Sequence, residues 1–98
     1  MKIMAFKGFD NVETFGVSQN GEQFDLSGAG FTSARVYADT QFVEGTVSGS
    51  DVKAVLGDLQ VPVGTYAGKL VVYSSVYPDG LVIAGYGLPE SLEVTVKE

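Results

Sequence analysis

Two glycines, Gly28 and Gly30, lie in the stretch SGAGFTS and have the spacing that opens a dinucleotide-binding loop. Such a loop needs a third glycine and must lead into a helix, whose first N–H groups hold the pyrophosphate. Ser33 occupies the third position, and the residues that follow alternate as in a β-strand. The pattern therefore predicts a corner before a strand, in which Asp25 bonds the downstream backbone and a glycine adopts positive φ.

Twelve acidic residues are the next candidates for chemistry. Asp10 with Glu13, and Asp51 with Asp58, are spaced as pairs, and two carboxylates across a cleft can hydrolyse glycosides. A domain of 98 residues has little volume for such a cleft, so solvated surface acids are the favoured interpretation. Calcium needs only oxygen ligands, and FDNVE and YPDG supply some, but neither has the alternating acids of an EF-hand loop. We therefore expect no metal and no other cofactor.

Histidine and cysteine are absent from the chain. The commonest general base and the commonest transition-metal ligand are missing, and no disulfide or thiolate site can form. The serines have no histidine partner for nucleophilic catalysis. The sequence accordingly predicts no catalytic residue and no enzymatic activity.

Tyrosines around one predicted hairpin, Tyr73, Tyr77 and Tyr86, are the candidate contact residues. A tyrosine ring is apolar and its hydroxyl is polar, so an exposed one can bind a protein partner or the face of a sugar. Sugar sites usually rely on tryptophan, which the chain lacks. Core or sheet-surface packing is the third interpretation of these rings.

Charge restricts the partners, because the chain has a net charge of −6 and its six lysines and arginines are scattered. Nucleic acid and anionic membrane surfaces both require clustered cations, so neither is an expected partner. Lys7 interrupts the apolar residues at the start of the chain, which excludes a signal-peptide core. No run approaches the roughly 18 apolar residues of a transmembrane helix. We expect the chain to be made and folded in the cytoplasm, which is compatible with later incorporation into a released particle.

Most of the chain that must position these residues has the alternating pattern of β-strands. SLEVTVKE alternates cleanly, with Leu92, Val94 and Val96 on one face, as expected of a half-buried antiparallel strand. The one helix candidate is SDVKAVLGDL, residues 50–59, which Gly57 interrupts. We count seven or eight short strands, drawn from the segments 2–6, 12–17, 23–26, 31–38, 41–48, 52–56, 64–75, 81–86 and 91–97.

Two turns are predicted from residue type. YPDG, residues 77–80, should join a strand at 64–76 to one at 81–85 as a hairpin. Asn20-Gly21 is a strong hairpin sequence and should join 12–17 to 23–26. Short strands at regular spacing predict one all-β domain over residues 1–98, an Ig-like antiparallel β-sandwich, with a small β-barrel as the alternative.

Three segments together resemble the small β-sandwich domains of phage baseplate and tail proteins, including the N-terminal domain of the upper baseplate protein. NGEQFDLSGAGFTSARVYAD is similar to the family pattern of an aromatic-Asp-Leu-[Ser/Thr]-Gly-Ala run followed by an alternating strand, and SLEVTVKE looks like the closing strand. In VPVGTYAGKLVVYSSVYPDG the likeness lies in a Gly-x-Tyr strand that leads to an Asp-Gly turn. The matching residues are Phe24, Asp25, Leu26, Ser27, Gly28, Ala29, Gly64, Thr65, Tyr66, Asp79 and Gly80.

The likeness covers most of residues 20–97, except QFVEGTVSGSDVKAVLGDLQ, and implies a structural role in a virion without catalytic residues. We therefore expect a non-enzymatic assembly module of a phage or prophage particle. Its partners would be other structural proteins or copies of itself, in a homo-oligomeric assembly. The alternative is a carbohydrate-binding module that uses exposed tyrosines.

Overall fold

A computed structural model of the chain describes residues 2–19, 22–85 and 91–98, and over those residues the protein is all-β without an α-helix. The elements are strands and one 3₁₀ turn, Leu56–Asp58. The strands are β1 (Lys2–Phe6), β2 (Val12–Gly16), β3 (Ser18–Gln19), β4 (Glu22–Gln23), β5 (Ser33–Ala38), β6 (Gln41–Ser48), β7 (Asp51–Val55), β8 (Gly64–Tyr73), β9 (Leu81–Gly85) and β10 (Glu93–Lys97).

Eight of these strands form one curled, mixed sheet in the order β1-β10-β8-β5-β6-β7-β2, with β9 paired to β8. The first strand and the last run parallel, with Ile3 opposite Val94, whereas the other pairs are antiparallel. The expectation of a wholly antiparallel arrangement was therefore wrong. The physical reason is that β1 and β10 are joined through the rest of the chain, so no tight hairpin imposes opposite directions on them.

Strand β8 is long enough to serve three partners. Its residues 64–67 pair with β10, residues 68–73 with β5 and residues 69–72 with β9. Asp39 N donates to Ala67 O, whereas Gly68 N donates to Leu92 O, so successive residues of β8 bond opposite edges. It follows that β5 occupies one edge of β8, and that β9 and β10 lie one after the other along the other edge.

The hydrophobic core is formed by side chains on one face of the curled sheet. Ala34, Val36 and Ala38 of β5 are buried there, as the alternation in FTSARVYAD predicts, and so are Val94 and Val96 of β10. No polar or charged side chain is buried among the described residues. Burial of apolar surface from strands distant in sequence is therefore the main stabilising contribution.

The curl brings the two ends of the sheet together at the 3₁₀ turn. Gly8 N donates to Gly57 O at 3.1 Å, and Leu56 N donates to Asn11 O at 2.8 Å. In the same loop, Phe6 N donates to Asn11 Oδ1 at 2.7 Å. The segment between β1 and β2 is thus held against the 3₁₀ turn, and residues 50–59 form β7 and this turn instead of a helix.

The YPDG turn predicted from the sequence is present. Gly80 N donates to Tyr77 O at 3.1 Å, Gly80 has φ +94°, and β8 pairs with β9 as expected for YPDG. Strands β3 and β4 pair antiparallel, with Gln19 opposite Glu22. The loop itself, Asn20-Gly21, lies outside the described residues, and the paired strand is 18–19 instead of the expected 12–17.

Candidate functional site

The glycine corner is closed by its own hydrogen bonds. Asp25 Oδ1 accepts from Gly28 N at 3.0 Å, and Gly30 N donates to Ser27 O with φ +91° at Gly30. Ser27 Oγ also accepts from Gly49 N at 3.0 Å, which fastens the corner to the β6–β7 turn. Because the amides are used internally and a strand follows, this segment offers no phosphate cradle of the helix-terminus kind.

The acidic residues do not converge on a site in the described part of the chain. No group of three His, Cys, Asp or Glu residues there could hold a metal ion. In FDNVE, the first segment considered for calcium, the side-chain Oδ1 of Asn11 accepts a hydrogen bond from Phe6 N. YPDG, the second, forms the turn that ends at Gly80. These polar groups stabilise the loops that carry them.

One motif that sequence reasoning missed is Ser50-x-x-Lys53, which has the S-x-x-K spacing of some acyl-transfer enzymes. Ser50 directly precedes β7, and Lys53 is an exposed residue within that strand. Lys53 lies opposite Thr14 and Thr46 in the sheet, whereas Ser50 lies in the preceding turn, where its carbonyl accepts from Val17 N. The spacing alone therefore supports no catalytic assignment.

The three candidate tyrosines have different surroundings. Tyr73 is half-buried at the end of β8, where Arg35 Cζ lies 5.2 Å from its ring centroid. Tyr77 lies in the β8–β9 turn and stacks on Phe31, with the ring centroids 6.0 Å apart and the planes 13° from parallel. Tyr86 lies outside the described residues. Tyr73 and Tyr77 thus belong to separate clusters, one on the outer sheet face and one beside the core.

The outer-face cluster consists of two cations among three aromatic rings. Arg35 Cζ lies 4.2 Å from the Phe42 ring centroid, and Lys69 Nζ lies 4.8 Å from that of Tyr37. The Tyr37 and Phe42 centroids are 5.2 Å apart, across the β5–β6 register. Cross-strand cation–π and aromatic pairs of this kind stabilise the outer surface of a sheet.

Hydrogen bonding and desolvation shift the pKa values of the two phenols in this outer-face cluster in opposite directions. The Tyr73 hydroxyl, and then Arg35, donate toward the Tyr37 oxygen and lower the pKa of Tyr37. Partial desolvation, followed by its bond to Tyr37, raises the pKa of Tyr73. The two phenols therefore differ in acidity although they lie in one cluster, and Tyr37 is the more acidic of the two.

A candidate binding feature is an apolar cleft of about 460 Å³ between the β8–β9 hairpin and the β3–β4 hairpin. Its floor includes the buried side chains of Leu26 and Phe31, and its rim carries the exposed side chains of Val76 and Leu81. The cleft is lined by Val17, Ser18, Phe24, Leu26, Ala29, Phe31, Ser74, Val76, Tyr77, Leu81 and Ile83.

Local hydrogen bonds hold the rim of the cleft in place. Ser74 Oγ accepts from Val76 N at 3.2 Å and from Tyr77 N at 3.1 Å, and Ser74 N donates to Tyr77 O. The turn therefore presents Val76 outward, with 76% of the residue's surface exposed. Val76, Tyr77 and Leu81 are exposed together along the cleft, and a contiguous apolar patch of this kind is typical of an interaction surface.

This apolar cleft was not predicted from the sequence. Its lining comes from two stretches about 50 positions apart, and the pairing of β5 with β8 brings them together. One signal was available, because Val76 and Tyr77 are bulky apolar residues within a turn of Ser, Pro, Asp and Gly. Turn residues of that kind are normally polar, so their presence points to a contact.

Comparison with known proteins finds no matching family model, no matching curated protein and no matching solved structure. Among the described residues, no helix is long and apolar enough to cross a membrane.

Proposed function

We propose that this chain is a non-enzymatic assembly module that acts through protein–protein contacts, with the apolar cleft as its docking surface. The observation that carries the proposal is Val76, an exposed valine that the Ser74 turn holds at the rim of a preformed apolar cleft. Burying such a rim in a partner removes apolar surface from water at little conformational cost, since the turn is already ordered.

The partners we propose are other structural proteins or further copies of this chain, in a phage or prophage virion. Support for that setting comes from the FDLSGA and YPDG segments, which contribute the corner and the turn beside the cleft. The same segments carry the resemblance to baseplate and tail domains. Residues that fold the resembling motifs would thus also build the docking surface.

We further propose that the curl of the sheet is that of an Ig-like sandwich, with a small barrel as the alternative. Strand β8 supports the proposal, because residues 64–67 pair with β10 and residues 68–73 with β5, which allows β10 and β1 to fold over the other strands. A layer spacing of about 10 Å from β1 to β6, measured between spin labels, would support two packed sheets. Hydrogen bonds between β1 and β2, detected by NMR, would identify a closed barrel instead.

Sugar binding through the tyrosines is the second candidate from the sequence, and the separate surroundings of Tyr73 and Tyr77 do not favour it. A sugar platform needs neighbouring rings that present one flat surface. Tyr73 lies beside Arg35, whereas Tyr77 stacks on Phe31. Binding of oligosaccharides that is lost in Tyr73→Ala would bring this candidate forward.

Site-specific photo-crosslinking tests the docking surface. A photoreactive amino acid replaces Val76 in one variant and Val63 in a matched control, because both valines are exposed and only Val76 lines the cleft. The variants are expressed in cells that carry the natural neighbouring genes. We expect a discrete crosslinked product from position 76, either with another structural protein or with a second copy. Equal products from both positions, or none from position 76, would refute the proposed surface.

Particle purification tests the virion setting separately. If the proposal holds, quantitative mass spectrometry of released particles finds this chain in a fixed ratio to the other structural proteins. Its complete absence from washed particles would refute a virion role while leaving the docking surface intact.

A further inference from the structure

We infer that the cleft accepts an extended, apolar segment of a partner protein, flanked by lysine or arginine, which adds to the sheet along β9. This inference rests on the proposed docking function and names its partner. It combines three observations, which are a strand edge beside the cleft, an apolar lining and a one-sided distribution of charge.

The strand edge is that of β9, Leu81–Gly85. This strand pairs with β8, and no other strand of the described residues pairs with it. An edge strand presents backbone N–H and C=O groups that can pair with an added strand. Leu81 and Ile83 of the same strand line the cleft, so an added strand would lie beside it and direct alternate side chains into it.

The lining favours apolar side chains from the partner. Apart from the Tyr77 hydroxyl, the cleft is lined by two polar side chains, Ser18 and Ser74. Ser74 Oγ already accepts two backbone hydrogen bonds. A buried polar group would find few partners there and would lose its hydration. Alternating valine-like side chains fit both the shape of a strand and the character of the cleft.

Charge selects what flanks that apolar segment. The two stretches that supply the lining, residues 17–31 and 74–85, contain Glu22, Asp25 and Asp79 and no lysine or arginine. All three acidic residues are exposed. A segment with basic ends is therefore attracted, whereas an acidic one is repelled. Of the two kinds of partner proposed, this favours another structural protein over a second copy of this chain, whose net charge is −6.

Synthetic peptides provide the test. The first probe alternates valine and threonine between terminal lysines, the second replaces the lysines with glutamates, and the third is the first with a central proline, which removes a backbone donor. Binding to the full chain is measured by calorimetry at low and high salt, and hydrogen exchange follows the amides of β9. The Val76→Ser variant is compared with Val63→Ser, an exposed control outside the cleft.

We expect the lysine peptide to bind and to slow exchange at residues 81–85. The glutamate peptide should bind about tenfold more weakly at low salt, with the difference shrinking as salt screens the acids. The proline peptide should not bind measurably. Val76→Ser should weaken binding of the lysine peptide about tenfold, whereas Val63→Ser should leave its affinity unchanged.

Each other outcome overturns the inference in a recognisable way. Equal binding of the proline peptide would mean that the cleft takes apolar groups without strand addition, as for a small apolar ligand. Equal binding of the glutamate peptide would remove the basic flanks from the proposal. Self-association that blocks the peptide, seen by sedimentation, would make a second copy the occupant. If no peptide binds but position 76 still crosslinks to a protein, the docking function stands and the partner assigned here is wrong.

Discussion

The replacement of Gly57 by alanine tests how the curled sheet closes. Gly57 is buried in the 3₁₀ turn, where the loop between β1 and β2 packs against it. A Cβ at this position would overlap the Phe9 carbonyl oxygen and lie 2.8 Å from the Phe9 carbonyl carbon and 2.9 Å from the Phe6 oxygen. All three are backbone atoms, so no rotation of a side chain relieves the collision.

The cost follows from how firmly that loop is held. Hydrogen bonds from Gly8 N to Gly57 O and from Leu56 N to Asn11 O tie the two segments together, so relief of the overlap stretches or breaks them. Overpacking destabilises the folded state by up to about 3 kcal/mol. Alanine also restricts the unfolded chain, which stabilises the folded state by about 0.4–1 kcal/mol. The free energy of unfolding should therefore fall by about 2 kcal/mol, which lowers the Tm of a domain of this size by about 8–16 °C.

Urea denaturation followed by circular dichroism measures this difference, with calorimetry for the Tm. Gly16→Ala is the matched control, because its new Cβ would meet only Asp51 Oδ1, at 3.8 Å, an ordinary contact. Its free energy of unfolding should change by no more than about 0.5 kcal/mol. If Gly57→Ala is as stable as Gly16→Ala, the close approach of Phe9 to the 3₁₀ turn does not exist in solution, and the account of sheet closure fails.

Two further predictions concern the core and the outer face. Val72→Ala should lower the free energy of unfolding by about 2–3 kcal/mol, since Val72 is fully buried in the central strand. The exposed control Val63→Ala should change it by less than about 0.5 kcal/mol. Equal effects of the two substitutions in urea titrations would contradict the assigned core. In an ultraviolet pH titration, Tyr37 should deprotonate at lower pH than Tyr73, because hydrogen bonding lowers one pKa and desolvation raises the other. Tyr37→Phe should remove the earlier step and Tyr73→Phe should move it to higher pH; the opposite order would refute the hydrogen-bond assignment.

Most strand positions could be predicted because strand formation leaves a local trace. The alternation of Val94 and Val96 with polar neighbours identified β10, and the same pattern around Val36 identified β5. Turn residues have an equally local signal, since Gly80 adopts the positive φ that other residues avoid. In these cases each residue reports on its own backbone and its own face.

The cleft and the outer-face cluster could not be predicted in that way. Phe31 and Tyr77 are far apart in sequence and stack only because β5 pairs with β8. Arg35 meets the Phe42 ring because of the β5–β6 register, in which a shift of one residue would move it to the other face. Sequence patterns for single strands contain no information on which strands become neighbours.

By itself the sequence determined that the chain builds strands and tight turns, and that histidine and cysteine chemistry is unavailable to it. Gly57 shows what was left for the tertiary structure. In the sequence it is a residue that interrupts a helix, whereas in the fold it is the point where the Phe9 backbone approaches too closely for a side chain. The tertiary structure likewise determined the parallel pairing of β1 with β10, the curl of the sheet and the cleft. They depend on contacts between distant segments, whose free energy comes from shared burial and not from the preference of any one residue.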